Sequence, residues 1–439
     1  MTSDTTSALR RVFDEVLDAC DPASLLAEHI HLDDEHLEIG DTSYDLATFE
    51  RIFVVGAGKA GAPMAAALET ILGERIDRGL VVVREGYGGP TERIDIVEAA
   101  HPTPDGRSVD AGARIREICE AAESGDLVLV LLSGGGSALL VEPAAGLSLR
   151  DMQTTVDELV SSGADIHQIN TVRKHLSTLK GGQLAAAIAP ATSATIILSD
   201  VVGNDLSTIA SGPTVPDPTT FEDALSVIVR YNLLESLPAS VIEHLQEGAR
   251  GQFPEPPKPG APVFADTNQV IIGDGRTVAR AAAQACEGRG WSAHILATQL
   301  TGEAREVARV VAAIGEEAVH DADGTPGAFI MTGETTVTVR GEGVGGRNQE
   351  LALAAALRID GTDRLQIASL ATDGTDGPTD AAGAVVDGET ADALRRAGLD
   401  PHAMLADNDA YRALDAVGTL VRTGPTRTNL NDLIIIRFR

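Results

Sequence analysis

Cysteine, aromatic residues and long apolar runs are all scarce in this chain of 439 residues. The 3 cysteines, Cys20, Cys119 and Cys286, lie far apart, which excludes a disulfide framework or a zinc site and favours buried thiols in a reducing compartment. Aromatic residues make up 3% of the chain, so its cores rest on Ala, Val, Leu and Ile. We expect neither a membrane span nor a signal peptide, because no apolar segment is long enough and the first residues are not basic.

Positive charge is also scarce. Lys and Arg number 34 against 65 Asp and Glu, which gives a formal net charge of −31. Such a surface repels nucleic acids and anionic membranes, so we expect neither as a partner. At molar salt the Debye length falls to about 3 Å and the self-repulsion is screened. The composition therefore favours a salt-rich cytoplasm and a halophilic protein, with an ordinary acidic mesophilic protein as the alternative.

Only 4 lysines occur, and 3 of them lie in or beside motif segments: Lys59, Lys174 and Lys180, with Lys258 apart from them. A compact ammonium group binds a phosphate or carboxylate as a point charge, whereas a guanidinium group needs a planar fork of acceptors. The three motif lysines therefore indicate anion binding. The alternative is chance placement with solvated head groups.

Strand-like and helix-like segments alternate along the first half of the chain. Apolar runs predict strands at 52–55, 80–83, 127–132 and 192–199. Helical spacing of apolar residues predicts helices at 7–20, after Gly61, at 105–122 and after Ser148. This alternation indicates a mostly parallel, doubly wound, Rossmann-like sheet.

A proline-rich segment at 248–263 predicts a linker between two α/β domains. We expect a larger Rossmann-like domain at 1–247 and a smaller mixed α/β domain at 264–439. The apolar run 433–436 predicts a last strand that returns to the first domain as one option. The other elements predicted in the second domain are strands at 269–273, 293–297, 328–332, 335–339 and 366–371, and helices near 276–287, 302–319 and 348–358.

Two glycine-rich turns follow predicted strands of the first domain. The turn Gly56-Ala57-Gly58-Lys59-Ala60-Gly61 has the G-x-G-x-x-G form of a dinucleotide site, and Glu85 follows the next strand. Lys59 inside the turn suits an anionic substrate or phosphate instead. The turn Ser133-Gly134-Gly135-Gly136-Ser137 offers backbone amides and two hydroxyls, which suit a phosphate group. No Walker A sequence is present.

Two further segments of the first domain carry polar groups. The stretch Asn170 to Gly182 concentrates cations, including Lys174 and Lys180, as a polyanionic ligand requires; the alternative is a basic helix face paired to carboxylates. The loop Ser199 to Asp205 follows a strand, and its Asp200 suits a Mg²⁺ ion or the proton of a substrate hydroxyl. Asn204 lies in the same loop. A simple helix cap is the alternative for Asp200.

In the second domain, Arg347 opens a predicted helix after the sequence Gly343-Val344-Gly345-Gly346. A cation there opposes the helix dipole, so the position indicates a bound anion. Asp373 and Asp376 follow another predicted strand and suit a hydrated Mg²⁺ ion on ATP phosphates, with capped turns as the alternative.

Taken together, these segments resemble the class II glycerate 2-kinase family, whose C-terminal part is called the MOFRL domain. The resemblance spans nearly the whole chain. It rests on residues 56–61, 131–140, 169–185, 198–217, 332–353, 372–384 and 411–432. Arg427 departs from the family pattern, which usually has Gly near that position, and this puts the contacts of the Gly-Pro-Thr turn in doubt.

The resemblance implies ATP- and Mg²⁺-dependent phosphorylation of D-glycerate at its 2-hydroxyl, with other divalent metals also usable. It implies that Lys59 and Arg347 serve catalysis or substrate binding, with Gly58 beside Lys59. We expect the Ser133–Ser137 turn, Lys174, Lys180 and Asn204 to bind the nucleotide phosphates. Asp200 would act on the attacking hydroxyl or share a metal with Asp373 and Asp376, and the residues from the two domains would meet in one cleft.

Two other functions stay open at this point. The turn at Gly56 and Glu85 also suit an NAD(P)-dependent hydroxypyruvate reductase, although hydride transfer has no need of the cationic segment or the paired aspartates. A non-catalytic sugar-phosphate-binding protein is the second alternative. With any of these functions the protein could be a monomer or a homo-oligomer.

Overall fold

The computed structural model describes residues 2–439, and side chains from Ser7 onward. The chain divides into two units, one formed by Pro22–Ile272 and the other by Met1–Asp21 together with Gly273–Arg439. The chain begins with helix α1 (Thr2–Ala19), which belongs to the second of these units.

The unit Pro22–Ile272 contains nine helices and nine strands of the described residues. The helices are α2 (Pro22–His29), α3 (Gly61–Leu72), α4 (Gly106–Glu120), α5 (Gly136–Leu139), α6 (Leu149–Ser161), α7 (Ile166–His175), α8 (Gln183–Ile188), α9 (Phe221–Arg230) and α10 (Ala239–Ala249). The strands are β1 (Ile30–Asp33), β2 (His36–Ile39), β3 (Thr42–Asp45), β4 (Arg51–Ala57), β5 (Ile76–Arg84), β6 (Ile94–Ala99), β7 (Asp126–Leu132), β8 (Thr192–Leu198) and β9 (Thr267–Gly273).

The main sheet of this unit has the order β6-β5-β4-β7-β8-β9. Strands β4 to β8 pair in parallel, and every residue of β7 is buried, as expected for a strand covered on both faces. Counted from β4, the order is 3-2-1-4-5-6, the Rossmann order, and it reverses between β4 and β7. The predicted doubly wound, Rossmann-like fold is confirmed. Strands β1 to β3 form a separate antiparallel sheet that the sequence analysis missed.

The second unit completes the chain after Ile272. Its helices after α1 are α11 (Gly275–Glu287), α12 (Ala304–Asp321), α13 (Arg347–Arg358), α14 (Thr390–Arg396), α15 (Pro401–Ala406) and α16 (Ala410–Ala416). Its strands are β10 (Ser292–Glu303), β11 (Gly327–Thr336), β12 (Leu365–Ala371), β13 (Gly383–Asp387), β14 (Leu420–Val421) and β15 (Asp432–Phe438). The predicted smaller, mixed α/β domain is confirmed, because its sheet β10-β11-β15-β12-β13-β14 has one parallel pair among antiparallel ones.

Several predicted boundaries need correction. Residues 328–332 and 335–339 were expected as two strands, but the single strand β11 covers 327–336. The last strand, β15, lies between β11 and β12, so it does not return to the first domain. Strand β9 pairs next to β8, which places the division after Ile272 and not at the predicted linker 248–263.

Helix α1 also changes the predicted domain 1–247. Its buried residues Leu9, Val12, Phe13 and Val16 repeat at helical spacing and lie at 0% exposure. The helix packs against α11, and Arg289, just after the end of α11, donates from both terminal nitrogens to the Glu15 carboxylate at 2.8 Å. The first helix is therefore part of the second unit's core.

No helix among residues 2–439 has both the length and the apolar character needed to cross a lipid bilayer.

The place of α1 gives a direct test. Phe13→Ala should destabilise the protein by about 3–5 kcal/mol, because it removes a fully buried ring. Hydrogen exchange followed by mass spectrometry should show the loss of protection in α11 and not in β7. Val310→Ala, at a side chain that is 61% exposed on α12, is the control and should change stability by less than about 0.5 kcal/mol. Loss of protection confined to β7 would contradict the division described above.

Candidate active site

The candidate site of the Pro22–Ile272 unit lies at the carboxyl ends of β4 and β7. These two strands pair in register up to Ala57 and Leu132, and the sheet order reverses between them. Open α/β sheets bind ligands in the crevice outside this point. The structure brings the two predicted glycine turns, 56–61 and 133–137, together there.

The two turns are joined by backbone hydrogen bonds. The amide of Lys59 donates to the Gly134 carbonyl at 2.8 Å, and the amide of Ala60 donates to Ser133 Oγ at 3.0 Å. In the other direction, the Ser133 amide donates to the Ala57 carbonyl at 3.1 Å. The contact is too close for a side chain at Gly58, where φ is +143° and a Cβ atom would lie 2.1 Å from Ser133 Oγ. The first turn therefore depends on the second for its conformation.

These bonds leave the first turn without free amides. Besides the amides of Lys59 and Ala60, the Gly58 amide donates to the Val82 carbonyl and the Gly61 amide to the Gly58 carbonyl, both at 3.0 Å. A dinucleotide site of the G-x-G-x-x-G type instead presents backbone amides to the pyrophosphate. Glu85, predicted as a possible ribose ligand, forms an ion pair with Arg107 at 2.9 Å. The dinucleotide interpretation of this turn is therefore not supported by its geometry.

The second turn keeps its amides available. None of the backbone hydrogen bonds of the described residues uses the amides of Gly134, Gly135 or Ser137. Gly135 adopts a φ of +85°, and a Cβ atom there would lie 2.9 Å from His101 Nε2 and 3.6 Å from Lys59 Cγ. The Lys59 side chain thus begins beside a glycine turn with unused donors, an arrangement suited to an anion.

Ser137 continues the site through two hydrogen bonds. Its Oγ lies 3.0 Å from Ser211 Oγ, and Ser211 Oγ donates to Asn170 Oδ1 at 2.9 Å. Ser211 and its neighbour Ala210 both have positive φ, at 62° and 50°, which is rare for residues with a Cβ atom. This strained backbone places the Ser211 hydroxyl between the turn and α7.

The two predicted phosphate-binding lysines of the cationic segment have protein partners. Lys174 Nζ lies 3.4 Å from Asp217 Oδ1, and both side chains are buried. Lys180 is fully buried and its Nζ donates to the carbonyls of Ser137 and Leu140, at 2.8 and 2.9 Å. Burial lowers the pKa of Lys180 well below its usual value, and the nearby Arg173 adds to that effect. Both lysines hold the site in shape, and direct contact with a nucleotide stays a prediction.

The loop with Asp200 and Asn204 follows β8, the strand next to β7. It therefore begins at the same edge of the sheet as the two glycine turns. Asn204 has a φ of 57° and lies in a turn. Its backbone amide donates to the Val201 carbonyl at 3.0 Å. Asp205 holds the rest of the loop through Ser207 and Thr208. The structure brings this loop to the predicted edge, and the roles of Asp200 and Asn204 stay predictions.

Arg347, the predicted residue of the second unit, opens α13 and is fixed by carboxylates. Its Nε and Nη2 donate to Asp432 at 2.6 and 3.1 Å, and its Nη1 donates to Glu334. Burial opposes the charge of Arg347, but Asp432 and Glu334 outweigh it and raise the pKa of the guanidinium. The argument that a cation at this helix start requires a bound anion is therefore wrong, because protein carboxylates already offset the dipole. Two of its five N–H groups have no bond to these carboxylates.

Asp376 has a structural role that the sequence analysis missed. Its Oδ1 accepts from the Asn348 amide at 3.1 Å and its Oδ2 from the Gln349 amide at 2.8 Å, so it caps the first turn of α13. Asp373 Oδ1 accepts from the Thr375 amide at 3.0 Å in a local turn. Among the described residues, no three His, Cys, Asp or Glu side chains are arranged to hold a metal ion. The metal-binding role expected of Asp200, Asp373 and Asp376 stays a prediction.

Sequence reasoning also missed residues that the structure places at these sites. Asp432 and Glu334 orient Arg347 from two separate strands, and His101 lies beside Gly135. Arg173 faces a cavity next to Ser137. Arg173 and Asp432 fell inside segments already marked as motifs, but spacing alone does not tell which side chain of a helix or strand faces a ligand.

The fold and these turns define an α/β protein whose first unit has the Rossmann strand order and an anion-receptive glycine turn at the switch point. Family models match both units: the domain of unknown function DUF4147 over residues 8–246 and the MOFRL family over residues 327–432. The chain belongs to the glycerate kinase family with a MOFRL domain, since relatives of that name are alike over almost its whole length.

Several relatives are informative. Glycerate 2-kinase of Pyrococcus horikoshii is 40% identical over 97% of this chain and 95% of its own. D-glycerate 2-kinase of Thermotoga maritima is 44% identical over 88% and 90%. A relative from Agrobacterium vitis, 41% identical over 97% and 92%, carries a provisional name as a hydroxypyruvate reductase. A crystal structure of glycerate kinase from Thermotoga maritima superposes with a TM-score of 0.86, 39% identity and 99% coverage of both chains.

The cap on α13 predicts a pH effect on stability. Burial raises the pKa of Asp376 to about 7 from 3.8, and Asp432 adds to that effect. The folded protein therefore binds this proton more tightly than the unfolded chain, so the free energy of unfolding should fall as the pH rises between those values. The slope from this group is at most about 1.4 kcal/mol per pH unit.

Asp376→Asn should remove that slope. The free energy of unfolding of both proteins can be measured with urea at about pH 5, 6 and 7. As the pH rises, the wild type should lose stability relative to the variant, so that the difference between their free energies of unfolding narrows or reverses. Parallel pH curves for the two proteins would contradict the assigned pKa.

Proposed function

We propose that the protein transfers the γ-phosphoryl group of ATP to the 2-hydroxyl of D-glycerate, giving 2-phosphoglycerate and ADP. The similarity to a glycerate 2-kinase and a D-glycerate 2-kinase supports this reaction. The observation that carries it on the structural side is the Ser133–Ser137 turn, with unused amides beside the stem of Lys59. A lysine stem beside backbone donors favours a site for a phosphoryl group or a carboxylate.

The residues act mainly by positioning and by neutralising charge, which is what phosphoryl transfer requires. The bond between the γ-phosphorus and the bridging oxygen of ATP breaks, and a bond forms from that phosphorus to the glycerate oxygen. Lys59 and the amides of Gly134 and Gly135 would stabilise the charge on the phosphoryl oxygens. Asp200 would accept the proton of the hydroxyl or orient it.

Arg347 would bind an anion through the two N–H groups that Asp432 and Glu334 do not use. Asp432 and Glu334 keep the guanidinium in one orientation, so little conformational entropy is lost when an anion binds. We infer that Arg347 serves catalysis or substrate binding, as the family resemblance implies.

In this proposal a divalent ion such as Mg²⁺ enters the site bound to the phosphates of ATP. Within the described part of the chain, no three His, Cys, Asp or Glu side chains are arranged to hold such an ion. Magnesium is commonly held by one or two protein carboxylates together with nucleotide phosphates and water, so we assign no step of the reaction to a protein-bound ion.

The two alternatives from the sequence are less favoured. A hydroxypyruvate reductase needs a nicotinamide dinucleotide, but the turn that resembles such a site has committed its amides to protein acceptors. A binding protein without catalysis would release no ADP when D-glycerate and ATP are present together.

We also infer a cytoplasmic location, a salt-rich environment and small-molecule ligands only, from the net charge of −31 and the scarcity of cysteine. Nucleic acids and membranes are not proposed as partners, and a homo-oligomer is left open. These statements rest on composition.

The reaction predicts a specific product. With ATP and D-glycerate the wild-type protein should form a compound that enolase uses directly, since only the 2-phosphate isomer is an enolase substrate. Lys59→Ala should lower kcat by at least about 100-fold, as expected when a donor to a developing negative charge is removed. Lys258→Met is the matched control, because Lys258 pairs with Glu255 away from the turns and should leave kcat near the wild-type value.

Circular dichroism and thermal unfolding should show that Lys59→Ala keeps its fold. A Lys59→Ala variant with the wild-type rate would contradict the role of Lys59. NADH oxidation with hydroxypyruvate, in the absence of any kinase activity, would favour the reductase.

A further inference from the structure

A small cavity opens beside Ser137 within the Pro22–Ile272 unit. Its volume is about 70 Å³, and its walls come from α6, α7, Pro102–Pro104 and the segment after the glycine turn. Apolar side chains such as Val141, Met152 and Val156 form part of the lining, and Arg173 and Lys180 supply the cations. The cavity touches the same serine that belongs to the proposed phosphoryl site.

Arg173 has no carboxylate partner among the described residues, although the chain carries 65 acidic residues. Its hydrogen bond goes from Nη1 to Asn170 Oδ1 at 3.2 Å. Burial lowers the pKa of Arg173 to about 10, and no nearby carboxylate counters that effect. Placing a guanidinium among protein atoms without an anion costs free energy, which a bound anion would offset.

Asn170 provides the second observation. Its Oδ1 accepts from both Arg173 and Ser211, so its amide group has one allowed orientation. The opposite atom, Nδ2, is buried and has no hydrogen-bond partner. Asn170 does not itself line the cavity, so its contribution is to hold Arg173, which does, in one orientation.

The remaining charges around the cavity agree with an anion. Lys180 is near enough to Arg173 for the two cations to repel, which the shift in the Lys180 pKa records. The acidic residue of the lining, Asp157, is exposed at the cavity's outer side and forms no ion pair with Arg173. Arg173 is therefore a lining cation that no carboxylate of the described residues neutralises.

The size of the cavity restricts the anion. A volume of about 70 Å³ is far below the 300–1,000 Å³, roughly, of pockets that take drug-sized ligands, so a nucleotide does not fit. A three-carbon acid is small enough for such a cavity, whose lining contains both Arg173 and Ser137. A planar carboxylate also matches the fork of a guanidinium group.

We propose that Arg173, held in place by Asn170, binds the carboxylate of the small hydroxy-acid substrate and so sets the choice of an acid over a neutral polyol. This inference rests on the proposed function, because it names the substrate end that the same site recognises. In this proposal the residue of helix α7 that binds the anion is Arg173, and not Lys174, which is paired with Asp217.

Arg173→Met tests this directly. Because a charge-assisted bond is lost, the KM for D-glycerate should rise about 10- to 100-fold, with the KM for ATP nearly unchanged. The preference for D-glycerate over glycerol, which lacks the carboxylate, should fall by a similar factor. Arg150→Met removes an exposed arginine from the neighbouring helix α6 and is the matched control, with both KM values unchanged.

Val156→Phe gives an independent variant if Arg173→Met does not fold. The larger ring should occupy the cavity without removing a charge, so the KM for D-glycerate should again rise. An unchanged KM for D-glycerate in the folded Arg173→Met variant, or in Val156→Phe, would overturn the proposal while leaving the kinase function intact.

Calorimetric titration with D-glycerate alone distinguishes a failure of the carboxylate site from a failure of the proposed kinase function. If the wild type binds D-glycerate and Arg173→Met does not, the carboxylate site stands even when no phosphorylated product forms. If the two proteins bind it equally well, or neither binds it, the carboxylate site is excluded whatever the assay of turnover shows.

Discussion

The contact between the two glycine turns is the constraint on which the candidate site depends. Ser133 approaches Gly58 so closely that a single Cβ atom at Gly58 would lie 2.1 Å from Ser133 Oγ. The same approach lets the Ser133 turn take up the amides of Lys59 and Ala60. The turn 56–61, which carries Lys59, is thereby fixed in conformation. The turn 133–137 keeps backbone amides that can bind a ligand. A motif that resembles a dinucleotide site consequently serves another purpose.

The cations of this protein differ in whether a carboxylate of the same chain pairs with them. In a chain with a net charge of −31, many cations pair with carboxylates, as Lys174 does with Asp217 and Arg347 with Asp432. Such pairs orient a side chain and hold the structure, and a buried pair by itself is weak evidence of a stabilising gain. The cations without such a partner are more informative. Arg173 stands out because an unsatisfied amide group lies beside it.

Much of the fold was predictable from the sequence, because buried parallel strands such as β7 are continuous apolar runs and glycine turns mark where they end. The meander β1 to β3 was missed, since its four-residue strands alternate too briefly to give a pattern. The domain assignment of α1 was wrong, because periodicity shows that a helix has an apolar face and not which core covers it. The same limit applied to the site: Asp376 looked like a metal ligand, but both of its oxygens cap α13.

Hydrogen exchange of the two turns, followed by mass spectrometry, tests the central claim most directly. In the free protein the amides of Lys59 and Ala60 should exchange slowly and those of Gly134 and Gly135 quickly, because only the first pair is bonded. Addition of ATP and D-glycerate should slow the exchange of Gly134 and Gly135, and addition of NADH should change neither turn. Slow exchange at residues 58–61 that appears only when NADH is added would contradict the account.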